Sequence, residues 1–180
     1  MPLRTLGYSW MRSLVSLVAL GVVAALPVDS RGAQATLRCP QTLRDAHQLP
    51  VVVTIHVGTT PLGAYSVTVR YDAKFLALAS VAGGTTTEFA GTPMTSTPAP
   101  GAINIAALQA TSLSSPTGGV SIAKITFDVV GSASTTTIGL AVNNLFDTNG
   151  TGIVRATGTG CTIPADGGGT GHHERSPPSR

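Results

Sequence analysis

The stretch SVTVRYDAKFLALASV (Ser66–Val81) alternates apolar and polar residues, breaks at Tyr-Asp-Ala-Lys, and turns apolar again. Successive side chains of a β-strand point to opposite faces, so this alternation predicts strands with one buried and one wet face. In AYSVTVRY (Ala64–Tyr71), Tyr65, Val67, Val69 and Tyr71 share the apolar face, while Ser66, Thr68 and Arg70 share the other. Asp-Ala-Lys turns the chain, and FLALASVA (Phe75–Ala82) leaves with Leu76, Leu78 and Val81 directed to the core.

The same period recurs along the chain. TLRC (Thr36–Cys39) predicts a short first strand, and PVVVTIHV (Pro50–Val57) is a β-branched run closed by the turn cluster GTTPLG. Residues 83–100 are rich in Thr, Gly and Pro; they read as an irregular loop with a short strand at Glu88–Phe89. AINIAALQ (Ala102–Gln109) alternates with Ile103, Ile105 and Ala107 inward. VSIAKITFDVVG (Val120–Gly131) turns Ala123, Ile125, Phe127 and Val129 one way and Lys124, Thr126 and Asp128 the other. TIGLAV (Thr137–Val142) places Ile138, Leu140 and Val142 inward. Asn149-Gly150 is a tight-turn signal, and a last strand is predicted from Ile153 to Ile163. Many short strands separated by turn residues, with no long helical period, predict an all-β two-sheet sandwich.

The first 35 of the 180 residues read differently. Arg4 and Arg12 precede the apolar run Ser13–Leu26, and Ala33–Ala35 supplies a small-residue cleavage site, the pattern of a secretory signal. Either Met1 or Met11 can open it. The run is shorter than the roughly 20 residues a membrane-crossing helix needs, so no span is expected after cleavage. The predicted organisation is a signal over 1–35, a β-sandwich over 36–164 and a disordered tail over 165–180, where Gly, Pro and charge leave nothing to bury.

Export changes the reading of charge and cysteine. The formal charge of +3 loses Arg4, Arg12, Arg31 and Asp29 with the signal, leaving eight basic against seven acidic side chains. No basic patch remains to argue for nucleic acid. Cys39 and Cys161 meet an oxidising compartment, which predicts a disulfide bracketing the domain.

Catalytic constellations are missing from the sequence. No Gly-x-Ser-x-Gly occurs, His172 and His173 fall in the tail, and His47 and His56 have no metal-ligand spacing. Asp72, Glu88, Asp128 and Asp147 each have a plainer place in a turn or on a wet strand face than in a glycosidase carboxylate pair. DTNG (Asp147–Gly150) lacks the alternating acids and distal Glu of a calcium loop and reads as a tight turn. No enzyme activity, metal or cofactor is expected. The single Trp, Trp10, lies in the signal, which argues against an aromatic platform for crystalline polysaccharide.

GAYSVTVRYDAKFLALASV (Gly63–Val81) resembles a segment of cohesin domains in which a strand ends in Tyr-Asp before a short turn and an apolar strand. GGVSIAKITFDVVG (Gly118–Gly131) resembles a later cohesin strand, and GAINIAAL (Gly101–Leu108) lies between them in the expected order. The resemblance implies a nine-stranded jelly-roll sandwich related to bacterial carbohydrate-binding modules. It implies a secreted or cell-surface, non-catalytic module of extracellular polysaccharide degradation. Its partner would be a dockerin-bearing secreted enzyme or an extracellular glycan. It also implies one binding face, with Ser66, Thr68, Arg70, Asn104, Ala106, Lys124, Thr126 and Asp128 pointing outward. A structural surface or matrix protein without a dockerin partner is the alternative. The Cys39–Cys161 pair is not part of the general cohesin pattern.

Overall fold

The computed structural model describes residues 32–43 and 47–164; the expected signal up to residue 31 and the expected tail from 165 lie outside them. The described chain forms β1 (Gln34–Arg38), β2 (Gln48–His56), β3 (Leu62–Arg70), β4 (Leu76–Gly83) and β5 (Met94–Ala99). It continues through β6 (Ala102–Leu108), β7 (Gly119–Val129), β8 (Thr135–Asp147), β9 (Thr157–Thr159) and β10 (Cys161–Pro164). One sheet has the order β4-β7-β2-β1-β9 and the other β10-β8-β3-β6-β5. The all-β sandwich is as expected, with ten strands in place of nine.

Period two builds the core. Leu49, Val51, Val53 and Ile55 of β2 are all fully buried, and so are Val67 and Val69 of β3, Ile103 and Ile105 of β6, and Ile125 and Phe127 of β7. Each large side chain removed from water contributes roughly 1.5–3 kcal/mol before the entropy of ordering is set against it. Pro50 falls beyond β1's last partner on β2, Val52, where the strand has a neighbour on one side only and a missing N–H is tolerated.

Three of the five register shifts between paired strands matter to the core and the outer face. In β4, Leu78 pairs with Phe127 and Ser80 with Thr126, so the extra residue Ala79 moves the inward set from Leu76 and Leu78 to Val81. In β7, Val53 pairs with Ala123 and Thr54 with Ser121; Ile122 is the extra residue, and both Ile122 and Ala123 are buried. The Ile122 carbonyl accepts the Tyr65 hydroxyl at 3.0 Å, a bond running from one sheet to the other. In β8, Ser66 pairs with Asn144 and Val67 with Val142, which makes Asn143 the extra residue.

Four expectations are corrected. The single last strand is two short ones in different sheets, β9 parallel to β1 and β10 antiparallel to β8. The chain passes against β8 there: a Cβ on Gly158 would lie 2.2 Å from the Leu140 carbonyl oxygen, and one on Gly160 2.2 Å from that of Ile138. Glu88–Phe89 is part of a 3-10 turn (Thr87–Phe89) whose Phe89 packs edge-on against Tyr65. The Thr- and Pro-rich segment contains a strand, β5, with every residue exposed. Lastly, β1 starts at Gln34 rather than Thr36, and Ala33 and Ala35 are core residues, 5% and 0% exposed.

Cys39 and Cys161 are joined, with their Cα atoms 6.5 Å apart. Cys39 directly follows β1 of one sheet and Cys161 opens β10 of the other, so the bond ties the two layers together.

Candidate functional site

The eight residues expected on one face lie on two. Ser66, Thr68 and Arg70 of β3 and Asn104 and Ala106 of β6 look out from the β10-β8-β3-β6-β5 sheet. Lys124, Thr126 and Asp128 belong to β7 and look out from the opposite sheet. Alternation along a strand fixes which side chains are outward. It carries no information on which sheet the strand joins, and β6 pairs with β3 whereas β7 pairs with β2 and β4.

On the first of these faces the register lays out four rows. Phe146, Ala64 and Leu108 form an apolar row; Asn144, Ser66, Ala106 and Met94 form the next. Ala141, Thr68, Asn104 and Ser96 follow, and Arg70 beside Gly139 closes the far end. Phe146, Leu108 and Met94 are 39%, 70% and 69% exposed, a large apolar presence for a solvated sheet face.

The centre is locked by hydrogen bonds. Thr68, nearly buried, donates its hydroxyl to Asn104 Oδ1 at 2.8 Å and accepts from Asn143 Nδ2 at 2.9 Å. Asn143 also reaches Ser66 Oγ at 3.4 Å. The bulge in β8 puts two consecutive amides on this face: alternation from Val142 turns Asn143 outward, and the extra residue keeps Asn144 outward as well, where strict alternation would turn it in. Held amides and hydroxyls in the middle, apolar side chains at one end and a guanidinium at the other are groups that a complementary surface can pair with. A shallow depression of about 170 Å³ between Met94, Thr95, Ser96, Asn104 and Ala106 adds local relief.

Sequence reasoning missed Asn143, Asn144, Phe146 and Met94. The paired amides directly after the inward run ending at Val142 are the signal that could have found the first two. Met94 sits in a segment with no alternation at all.

The remaining candidates resolve simply. Asp147 Oδ1 accepts the backbone N–H groups of Asn149 at 2.9 Å and Thr151 at 2.8 Å, so its carboxylate closes a tight turn with Gly150 at φ 81°. Among the described residues no three His, Cys, Asp or Glu side chains are grouped to hold a metal ion.

The described chain is thus a two-sheet sandwich, one outer face of which carries exposed apolar side chains beside hydrogen-bonded polar groups. A sequence profile of the cohesin domain matches residues 47–163, and the chain belongs to that family. Cohesin domains are non-catalytic binding modules. Among solved structures, the cohesin module of a family 33 glycoside hydrolase from Clostridium perfringens superposes with a TM-score of 0.64 at 11% identity, over 74% of this chain and 96% of that one. The seventh ScaB type I cohesin of Pseudobacteroides cellulosolvens gives 0.60 at 17%, over 81% and 99%. The sixth cohesin of scaffoldin B from Acetivibrio cellulolyticus, solved in complex with a Cel5 dockerin, gives 0.59 at 18%, over 76% and 100%. At these identities the likeness is one of fold. No curated protein sequence matches the chain.

Proposed function

We propose that this chain is an exported, non-catalytic module that binds a dockerin-type domain through the outer face of the β10-β8-β3-β6-β5 sheet. The observation that carries the reading is that face: exposed Phe146, Leu108 and Met94 beside the locked Thr68–Asn104–Asn143 network. Interfaces draw affinity from a few desolvated apolar or cationic anchors, with prearranged polar groups setting register. The similar A. cellulolyticus cohesin was solved with a dockerin bound, which supports the choice of partner class. The Cys39–Cys161 bond supports a compartment outside the reducing cytosol.

The test is calorimetric titration of the protein with dockerin modules encoded in the same genome. At least one is expected to bind, and Leu108→Glu or Asn104→Asp to weaken it by about 2 kcal/mol or more, the scale of an interface hot spot. Lys124→Glu, on the opposite face, should leave the affinity unchanged. Binding by no dockerin, or loss of binding only with Lys124→Glu, would overturn the reading.

A further inference from the structure

The outer face of the β4-β7-β2-β1-β9 sheet is chemically unlike the one just described. Val52 at its centre pairs with Arg38 of β1 on one side and Lys124 of β7 on the other. Both cations are exposed, and neither forms an ion pair with a described residue. Adjacent strands lie about 4.8 Å apart, so the backbones of the two cationic residues stand roughly 10 Å from each other across one intervening strand. Half-buried hydroxyls line the rows to either side: Thr36 beside Thr54, and Thr126 opposite Pro50. The carboxylate on this face, Asp128, accepts from Gln48 Nε2 at 3.1 Å.

Next to Arg38 the surface dips into an open trough of about 360 Å³ lined by Arg38, Cys39, Pro40, Gln41, Pro50 and Val52. Pro40, Pro50 and Val52 give it aliphatic surface, and Cys39 within it is tied by the disulfide. None of the large exposed hydrophobic residues, from Met94 to Val154, lies in a strand of this sheet. An interface for a folded protein would lack its apolar anchor here.

We infer that this face is a second binding surface, taking a linear acidic polysaccharide across the strands. One sugar would rest in the trough over Pro40, Pro50 and Val52, with anionic groups at Arg38 and Lys124. Aliphatic floors suit the C–H faces of sugar rings, hydroxyls suit their polar edges, and the paired cations select an anionic chain over a neutral one. The site is independent of the dockerin proposal, since it lies on the other side of the sandwich.

Affinity electrophoresis and calorimetry on the full protein with polygalacturonate test it, against fully methyl-esterified polygalacturonate and polyglutamate. The acidic glycan is expected to bind, more weakly as salt rises, at least tenfold tighter than either control. Arg38→Glu with Lys124→Glu should reduce that affinity at least tenfold, whereas Arg70→Glu, on the opposite face, should not. Melting curves check that the variants fold. Equal binding of polyglutamate would show that charge alone is read and overturn the glycan assignment. An equal effect of Arg70→Glu, or no binding of polygalacturonate, would overturn the site itself.

Discussion

Tyr65 is the residue where packing and polar chemistry of this sandwich meet. Its ring lies in the core, edge-on to Phe89 with centroids 5.3 Å apart, and its hydroxyl crosses to the bulged strand β7. The partner is the Ile122 carbonyl, which belongs to the extra residue of the bulge. Tyr65→Phe would leave that buried acceptor unsatisfied, at a cost of about 1–3 kcal/mol near neutral pH. Burial also pushes the Tyr65 phenol above its ordinary range. The neutral form is therefore favoured in the folded state, while an unfolded tyrosine ionises near pH 10. Its contribution is fully present below about pH 10 and declines as pH rises further, because the unfolded chain releases the proton first. Melting temperatures followed from pH 7 to 11.5 should show an alkaline decline that is shallower in Tyr65→Phe. Parallel declines in the two proteins would remove Tyr65 from the alkaline limb.

At the scale of elements, what could be read before the structure was whatever has a buried face. The alternation in β2, β3, β6 and β7 names its own inward residues, and even the parity change from Leu78 to Val81 in β4 is visible as a break in period. β5 carries no such signal. Its six residues are all exposed, and its attachment is the backbone ladder to β6. β9 and β10 were hidden for another reason: Gly158 and Gly160 are set by close passage against β8, which is a tertiary fact. The candidate binding face suffered the same limit. Outward residues were legible, but the grouping of β3 with β6 and of β7 with β2 comes from pairing partners far apart in sequence.

The start of β1 carries a testable consequence at this scale. Gln34 and Ala35 pair with β2 on one side and β9 on the other, and the Thr157 N–H donates to the Ala33 carbonyl at 3.0 Å. A form beginning at Thr36 loses these bonds and two buried alanines. At about 1 kcal/mol per net hydrogen bond, it should be less stable than a form beginning at Arg31 by about 3 kcal/mol. Urea denaturation of the two forms measures this directly. Equal midpoints at equal slope would mean that the first half of β1 contributes nothing.

For the whole molecule, the balance lies between a core assembled from central strands and a covalent tie at its margin. The fully buried side chains come mostly from β2, β3, β6 and β7, none of which carries a cysteine. The disulfide joins positions 122 residues apart, after β1 and at the head of β10. Closing so long a loop restricts the unfolded chain by about 5 kcal/mol on the entropy model. On this account the bond acts mainly on the unfolded ensemble, and the sandwich is expected to assemble without it. Reduction should lower the melting temperature by about 10–20 °C for a domain of this size, while the β circular-dichroism signal at 25 °C persists. An unshifted melting curve would contradict the loop-closure account. Loss of the β signal on reduction would show instead that the central strands cannot hold the two layers together, and that the fold depends on the compartment in which the bond forms.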